Sequence, residues 1–388
     1  MSKFKKVILL VFSVILVCSF SSCTKPGTEL ADLMIMQGIG IDKNEGKYTV
    51  TVEILNNEQS GSPGGDSGSP QKTKVYSAEG ETVSQALRKL TTKSGNLPLF
   101  AHNRVIIIGE EAAKDDLSDL LDFFERDYDS RPSQVLCVAK STTAEKIIRA
   151  KLLDDSIKSE ILENMLQESN NQSVVPLVRI IDAVNAFKDE TASLCLPCIT
   201  VQKNGENENY ELWGCALFGR NNRFLNYLDL EKVSGLAFLD DKIEKGSITA
   251  DIPNGRKTTF LINKGKTKCR ILTENGKLVY NLHISVSCDL NEVQGDEYFN
   301  KPQGLLDTFK NAVSSEIVKK THETFFALCG ENGADAVRFG KRLRLKDVKA
   351  YNNLKMDWEN VFPQIELRVT ADVTIRRIGE ETFHSRKK

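Results

Sequence analysis

Apolar and polar positions follow two periods along this chain, and the places where the period changes mark its organisation. Residues 33–41 form an apolar run broken by Gly38 and Gly40. After a turn at 42–46, Tyr48, Val50, Val52 and Ile54 share one side of a half-buried strand over 47–55. Steps of three and four then take over. Val83, Ala86, Leu87 and Leu90 make the buried stripe of a helix over 82–94, with Thr82 and Gln85 as its capping box and Gly95 as its stop. An unbroken apolar strand is predicted at 105–108. A helix carrying Leu117, Leu120, Leu121 and Phe124 follows at 117–125, then a strand at 135–139 and a helix opened by Thr142 and Glu145. Two further helices are predicted at 157–166 and 177–187. Strand and helix alternate throughout this region, which is the pattern of an α/β unit.

From Leu196 the texture becomes strand-rich. Short strands are predicted at 213–218, 248–252, 258–262 and 268–272. Strict alternation returns at 278–290 and 365–375, giving long strands with one wet face, typical of an antiparallel sheet. Between them Leu306, Phe309, Val313, Ile317, Thr321, Phe325 and Leu328 keep helical spacing. The expected fold is therefore α+β (mixed α/β), with a C-terminal antiparallel sheet covered by a long helix. At 388 residues the chain exceeds one ordinary core. Three domains are expected: an N-terminal α/β domain at 24–190, a middle domain at 191–244 and a C-terminal α+β domain at 245–388. The composition change after Leu194 and the turn-rich stretch 240–246 place the cuts near Glu190 and Glu244. The stretch 56–71 (NNEQSGSPGGDSGSPQ) is too polar to pack and reads as a hairpin tip.

The N-terminus adds an address. Lys3, Lys5 and Lys6 precede residues 7–17, VILLVFSVILV, a run too short for a bilayer span, which needs roughly 20 apolar residues. It has the length and flanks of a secretory h-region, so residues 1–23 read as a lipoprotein signal peptide. Ser21-Ser22-Cys23 looks like a lipobox, with Phe20 bulkier than the usual Leu and Cys18 a poorer candidate because Val17 precedes it. Cys23 is the expected lipidation site, and dual acylation is what stable anchoring requires. Loss of the leader leaves the chain's 52 basic and 53 acidic residues slightly negative, and no basic patch for nucleic acid is apparent. Of nine cysteines, seven lie beyond Cys23 in a scattered, odd set within apolar stretches. That is no disulfide framework, and it points to a reducing or anaerobic setting.

The search for chemistry is mostly negative. No nucleophile elbow, P-loop or dinucleotide fingerprint occurs. His322-Glu323 begins like a zinc-protease motif, but Phe326 stands where the second histidine is needed. Cys195-Leu196-Pro197-Cys198 could be a redox or metal pair, yet no second ligand pair exists, and two cysteines in a strand fit better. His102, beside Asn103 and Arg104, reads as a structural histidine. Arg126, Asp127, Asp129 and Arg131 form a charged cluster after a helix, either a capping network or a partner contact. No catalytic residue, cofactor or metal site is expected.

The assembled pieces resemble the Ger(x)C family, the C-subunit lipoproteins of spore nutrient-germinant receptors. After the lipid cysteine, Glu29-Leu30-Ala31 and Gly38-Ile39-Gly40-Ile41-Asp42-Lys43 look like the family's opening strand. Glu79-Gly80-Glu81-Thr82, Leu99-Phe100-Ala101-His102-Asn103, and Leu120-Leu121-Asp122-Phe123 with Arg126-Asp127 and Arg131 match further segments. Gly214-Cys215-Ala216-Leu217-Phe218, then 335–340, Trp358 and Phe362-Pro363, complete the order. Thr24-Lys25 replace the usual Trp-Asp, and the stretch 345–351 replaces a common Pro and Trp. The resemblance implies three domains in an elongated lipoprotein without enzymatic activity. It implies a receptor complex with two integral-membrane subunits, anchored by diacylglyceryl lipid on the outer face of the spore inner membrane. Nutrient sensing would then trigger germination. The rival readings are a solute-binding lipoprotein of a transporter and a lipidated hydrolase.

Overall fold

The computed structural model describes residues 33–56, 72–127, 129–153, 156–253, 256–294, 304–330 and 333–378. Cys23, the tether that follows it and residues 57–71 lie outside these. In chain order the first part comprises β1 (Leu33–Asn44), β2 (Lys47–Leu55), β3 (Thr73–Gly80), α1 (Val83–Ser94), β4 (Leu97–Leu99), β5 (Val105–Ile108), α2 (Leu117–Arg126), β6 (Val135–Ala139), α3 (Ala144–Ile148), α4 (Lys158–Asn171) and α5 (Ile180–Phe187). There follow β7 (Leu194–Asn204), β8 (Asn207–Phe218), β9 (Phe224–Asp229), α6 (Leu230–Val233) and α7 (Leu236–Asp240). The last part comprises β10 (Gly246–Ile252), β11 (Arg256–Glu274), β12 (Lys277–Val293), α8 (Leu305–Cys329), α9 (Phe339–Lys346), α10 (Val348–Leu354), α11 (Trp358–Val361) and β13 (Glu366–Arg377).

Two sheets result. The first has the order β3-β2-β1-β5-β6-β7-β8-β9, with β4 beside β1. Its centre, β1-β5-β6-β7, is parallel. Val105–Ile108 and Val135–Ala139 are buried on both faces, as central parallel strands must be. Ile106, Ile108, Leu136 and Val138 face α1, α2 and α5, whereas Val105, Ile107, Val135 and Cys137 face α3 and α4. Residues of β7, β8 and β9 extend this sheet through Val138↔Cys198 and Ala139↔Ile199. Glu190 and Glu244 fall in the connections before β7 and β10.

The second sheet has the order β10-β11-β12-β13. The first three strands are antiparallel, but β12 and β13 are parallel, which corrects the expectation of a wholly antiparallel sheet. The physical reason is the connection. Helix α8 leads back across the sheet, so the chain returns as a crossover and starts β13 at the end where β12 started. Phe309, Val313 and Ile317 of α8 pack on Phe260, Ile284 and Val286. Its other half, with Phe325 and Leu328, joins Tyr280, Phe339, Trp358 and Phe362 to Cys195, Cys215, Leu217 and Leu228 of the first sheet. One apolar core thus spans both sheets.

Local signals place most helix ends, with two shifts. Thr82 caps α1 as expected, but the Gln85 side chain accepts from Glu81 N at 2.7 Å, one residue earlier than a capping box requires. Helix α3 is capped by Thr143, which accepts from Lys146 N at 3.1 Å, in place of Thr142.

Candidate functional site

The glycines and acids of the opening strand have a mechanical role. A Cβ on Gly38 would meet Ser159 Oγ at 1.9 Å, and one on Gly40 would meet Ala144 Cβ at 3.0 Å. The bare backbone lets α3 and α4 lie directly on β1. Asp42 then accepts from Ala144 N and Glu145 N, both at 2.8 Å, and so supplies the start of α3 from a distant strand. Burial pushes its pKa up, and those two amides pull it back. Glu53, fully buried on β2, does the same for α4. It accepts from Lys158 N (3.1 Å), Ser159 N (2.8 Å), Ser159 Oγ (2.6 Å) and Thr73 Oγ1 (3.0 Å). Both carboxylates are spent on helix N-termini.

A second knot joins the two sheets. Asp335 is fully buried and accepts from Val337 N (3.3 Å), Phe339 N (2.9 Å), Gly340 N (2.7 Å) and Trp358 Nε1 (3.0 Å). Burial raises its carboxyl to about 6 against the pull of those donors and of Arg342. The Asp335 carbonyl accepts from Ser193 N at 3.1 Å, just before β7. Gly340 lies so close to Thr191 that a Cβ would sit 2.2 Å from Oγ1. Tyr280 stacks on Phe339 at 4.4 Å and donates to its carbonyl at 2.9 Å.

Beside this knot lies a cleft of about 200 Å³, walled by α5, the approach to β7, α7 and the start of α9. Its floor includes Val175, Leu194, Leu236 and Ala336, and among the described residues no histidine lines it. Its carboxylates are committed. Asp182 accepts from Arg179 N at 2.9 Å, Asp189 from Thr191 N and Oγ1 at 2.9 and 2.8 Å, and Asp240 from Arg338 Nε and Nη2 at 2.9 and 2.7 Å. The cleft is smaller than the ~300–1,000 Å³ of ordinary ligand pockets. Asp182, Asp189 and Asp240 are thus each held by neighbouring donors.

The charged cluster after α2 does not close on itself. Arg126 Nε bonds both oxygens of Asp122 at 2.8 Å and stays 77% exposed. Asp127 fixes the next turn by accepting from Asp129 N (2.9 Å) and Ser130 N (3.1 Å). Arg131 is exposed. The turn connects inward, because Gln134 donates to Ser130 Oγ at 3.2 Å and accepts from the buried Asn103 at 2.8 Å. His102 is exposed, while Arg104 pairs with Glu163 at 2.8 Å. The structure therefore ties the Asn103 segment to the charged turn, a link that sequence spacing does not reveal.

Cys195 and Cys198 cannot act as a pair. Positions three apart on a strand point to opposite faces. Cys195 enters the core shared with the C-terminal sheet, and Cys198 the core under α1 and α2. Burial pushes the Cys198 and Cys215 thiols well up. His322 stacks against Phe326, the residue occupying the second ligand position.

Residues 27–201 match the family described as the spore germination protein N-terminal domain, and residues 213–379 match the spore germination B3/GerAC-like C-terminal family. The chain belongs to the Ger(x)C family of spore germination proteins. Spore germination protein KC of Bacillus subtilis (strain 168) is 27% identical to this Ger(x)C chain, over 90% of it and 91% of the relative. Spore germination protein GerQC of Bacillus cereus is 23% identical, over 96% and 98%. The crystal structure of the GerBC protein superposes with a TM-score of 0.58 at 19% identity, covering 87% of this chain and 96% of that one. That likeness concerns the fold.

Sequence reasoning missed Glu53 and the role of Asp335. The available signal was a carboxylate standing between apolar neighbours: Glu53 between Val52 and Ile54, and Asp335 between Ala334 and Ala336.

Proposed function

We propose that this Ger(x)C chain is a non-enzymatic lipoprotein subunit of a spore nutrient-germinant receptor, needed for nutrient-triggered germination. In this reading a diacylglyceryl anchor on Cys23 holds it to the outer face of the spore inner membrane, and it assembles there with two integral-membrane subunits. The observation that carries the reading is the match of both family halves along the chain, from 27 to 379. The buried carboxylates support a scaffold role, since Asp42, Glu53 and Asp335 are saturated by amide, hydroxyl and indole donors. The three expected units, divided near Glu190 and Glu244, would present their surfaces to different subunits, with Arg126, Asp127 and Arg131 as one contact.

The test is purification of the tagged chain from detergent-solubilised spore membranes. Two multi-span membrane proteins should come with it, and spores lacking the chain should lose the response to one class of nutrient. Recovery of the chain alone from the soluble spore fraction, with germination intact, would overturn the reading.

A further inference from the structure

Helices α9 and α10 meet at an elbow whose chemistry the core does not use. The inner side of α9 buries Phe339, Gly340 and Leu343, and α10 buries Tyr351. On the outside, Leu345 is 81% exposed and Val348 57%. Beside them Arg344, Lys346 and Lys349 are exposed, and Lys341, one helical turn earlier, is exposed at the wall of the cleft. Among the described residues none of these four cations has an ion-pair partner; Arg344 lies over the Tyr351 ring at 5.7 Å. The one acid in the stretch, Asp347, is spent on the start of α10, accepting from Lys349 N and Ala350 N at 3.0 Å each.

We infer that this elbow is a docking surface for an anionic lipid bilayer. Two bare aliphatic side chains flanked by three cations without ion-pair partners match a surface that is anionic above and apolar beneath. Leu345 and Val348 enter the boundary between headgroups and acyl chains, and the cations meet the phosphates. A protein partner would ordinarily favour aromatic anchors at a centre depleted of lysine, which is the reverse of what the elbow presents. The contact needs no acyl group at Cys23, so it stands or falls separately from the receptor reading.

The test uses the chain from Thr24 onward, which keeps every described element and lacks the leader and Cys23. It should float with mixed phosphatidylglycerol/phosphatidylcholine vesicles at low salt, and not with phosphatidylcholine alone. The double variant Leu345→Ser/Val348→Ser should reduce partitioning about tenfold or more while leaving circular dichroism and the thermal midpoint unchanged, because both side chains are already in water. A Leu345→Trp variant should show a blue-shifted emission increment on addition of anionic vesicles. Three results would overturn the inference: no flotation with anionic vesicles, flotation unaffected by the double variant, or an emission increment from the introduced indole that ignores the vesicles.

Discussion

Asp335 Oδ2 and Trp358 Nε1 meet at 3.0 Å in the buried interior, 23 residues apart in sequence. The same carboxylate also holds Phe339 N and Gly340 N and thereby the start of α9. Removing the acceptor strands several buried donors at once. Asp335→Ala should cost about 3 kcal/mol or more, and Trp358→Phe about 1–2 kcal/mol, both read from urea midpoints. An Asp335→Ala midpoint equal to the parent's would show that the donors find other partners.

The same carboxyl gives a pH signature with a definite sign. Its folded pKa, about 6, lies above the ordinary aspartate value of 3.8, so the folded state binds this proton more tightly than the unfolded chain. Its contribution is complete below about pH 4, is lost progressively as pH rises towards 6, and is flat above that. Asp335→Asn cannot titrate. Its stability relative to the parent should therefore improve between pH 4 and 6 and stay constant from pH 7 to 8. Parallel stability curves for the two proteins across that window would refute this.

Close helix docking on β1 predicts intolerance of any added carbon. Gly38→Ala places Cβ 1.9 Å from Ser159 Oγ and 2.9 Å from Ser159 Cβ. The helix must move, and overpacking of this kind costs about 1–3 kcal/mol. The expected result is a lower thermal midpoint and weaker protection of α4 amides in hydrogen exchange. An unchanged exchange pattern would mean that α4 gives way freely.

What was legible in the sequence is what local periodicity encodes. The stripe of α1, the apolar run of β5, the 25-residue helix α8 and the alternation of β12 and β13 each announce themselves within their own windows. Pairing partners do not. Strand β7 joins the first sheet through only two residue pairs with β6, and β13 lies parallel to β12 because of the intervening crossover. Nothing within either strand states this. The candidate site was legible in its motif residues, yet the reason for them was not. Gly40 matters because Ala144 comes against it, and Asp42 because the amides of α3 point at it, over 100 residues away in sequence.

The charged turn after α2 separates stability from assembly. Among the described residues Arg126 bonds Asp122 alone, on its own helix and in water, so Arg126→Glu should leave the thermal midpoint unchanged. If the turn is a partner contact, the same variant lowers recovery of the membrane subunits in co-purification. A normal complex together with normal germination would leave the turn as a solvated network.

The segment 57–71 lies outside the described residues, but its two ends are fixed next to each other. Leu55 pairs with Thr73, and Asn56 N donates to Lys72 O at 2.9 Å. A short Gly-Ser turn can therefore close β2 onto β3, and shortening a loop changes closure entropy only slightly. Replacement of 57–71 should leave expression, thermal midpoint and germination intact. Loss of the complex with the fold preserved would reveal a contact made by the loop.

Cys23 decides where the folded part sits. Nine residues separate it from β1, and at full extension the ten steps from Cys23 to Leu33 reach at most roughly 36 Å. A lipid on Cys23 would thus keep the start of β1 within that distance of the headgroups, where the proposed membrane subunits would be met. Two acyl chains hold a protein stably, whereas one gives marginal binding. Cys23→Ala should abolish lipid attachment and block cleavage by a lipoprotein peptidase, giving either an uncleaved precursor or a released chain. Both outcomes should lower recovery of the receptor complex and slow nutrient-triggered germination. Mass spectrometry of the mature N-terminus is the direct measurement. An unmodified Cys23, or a mature terminus at another residue, would remove the anchor from the proposed function, while the Ger(x)C assignment and the elbow at Leu345 would stand.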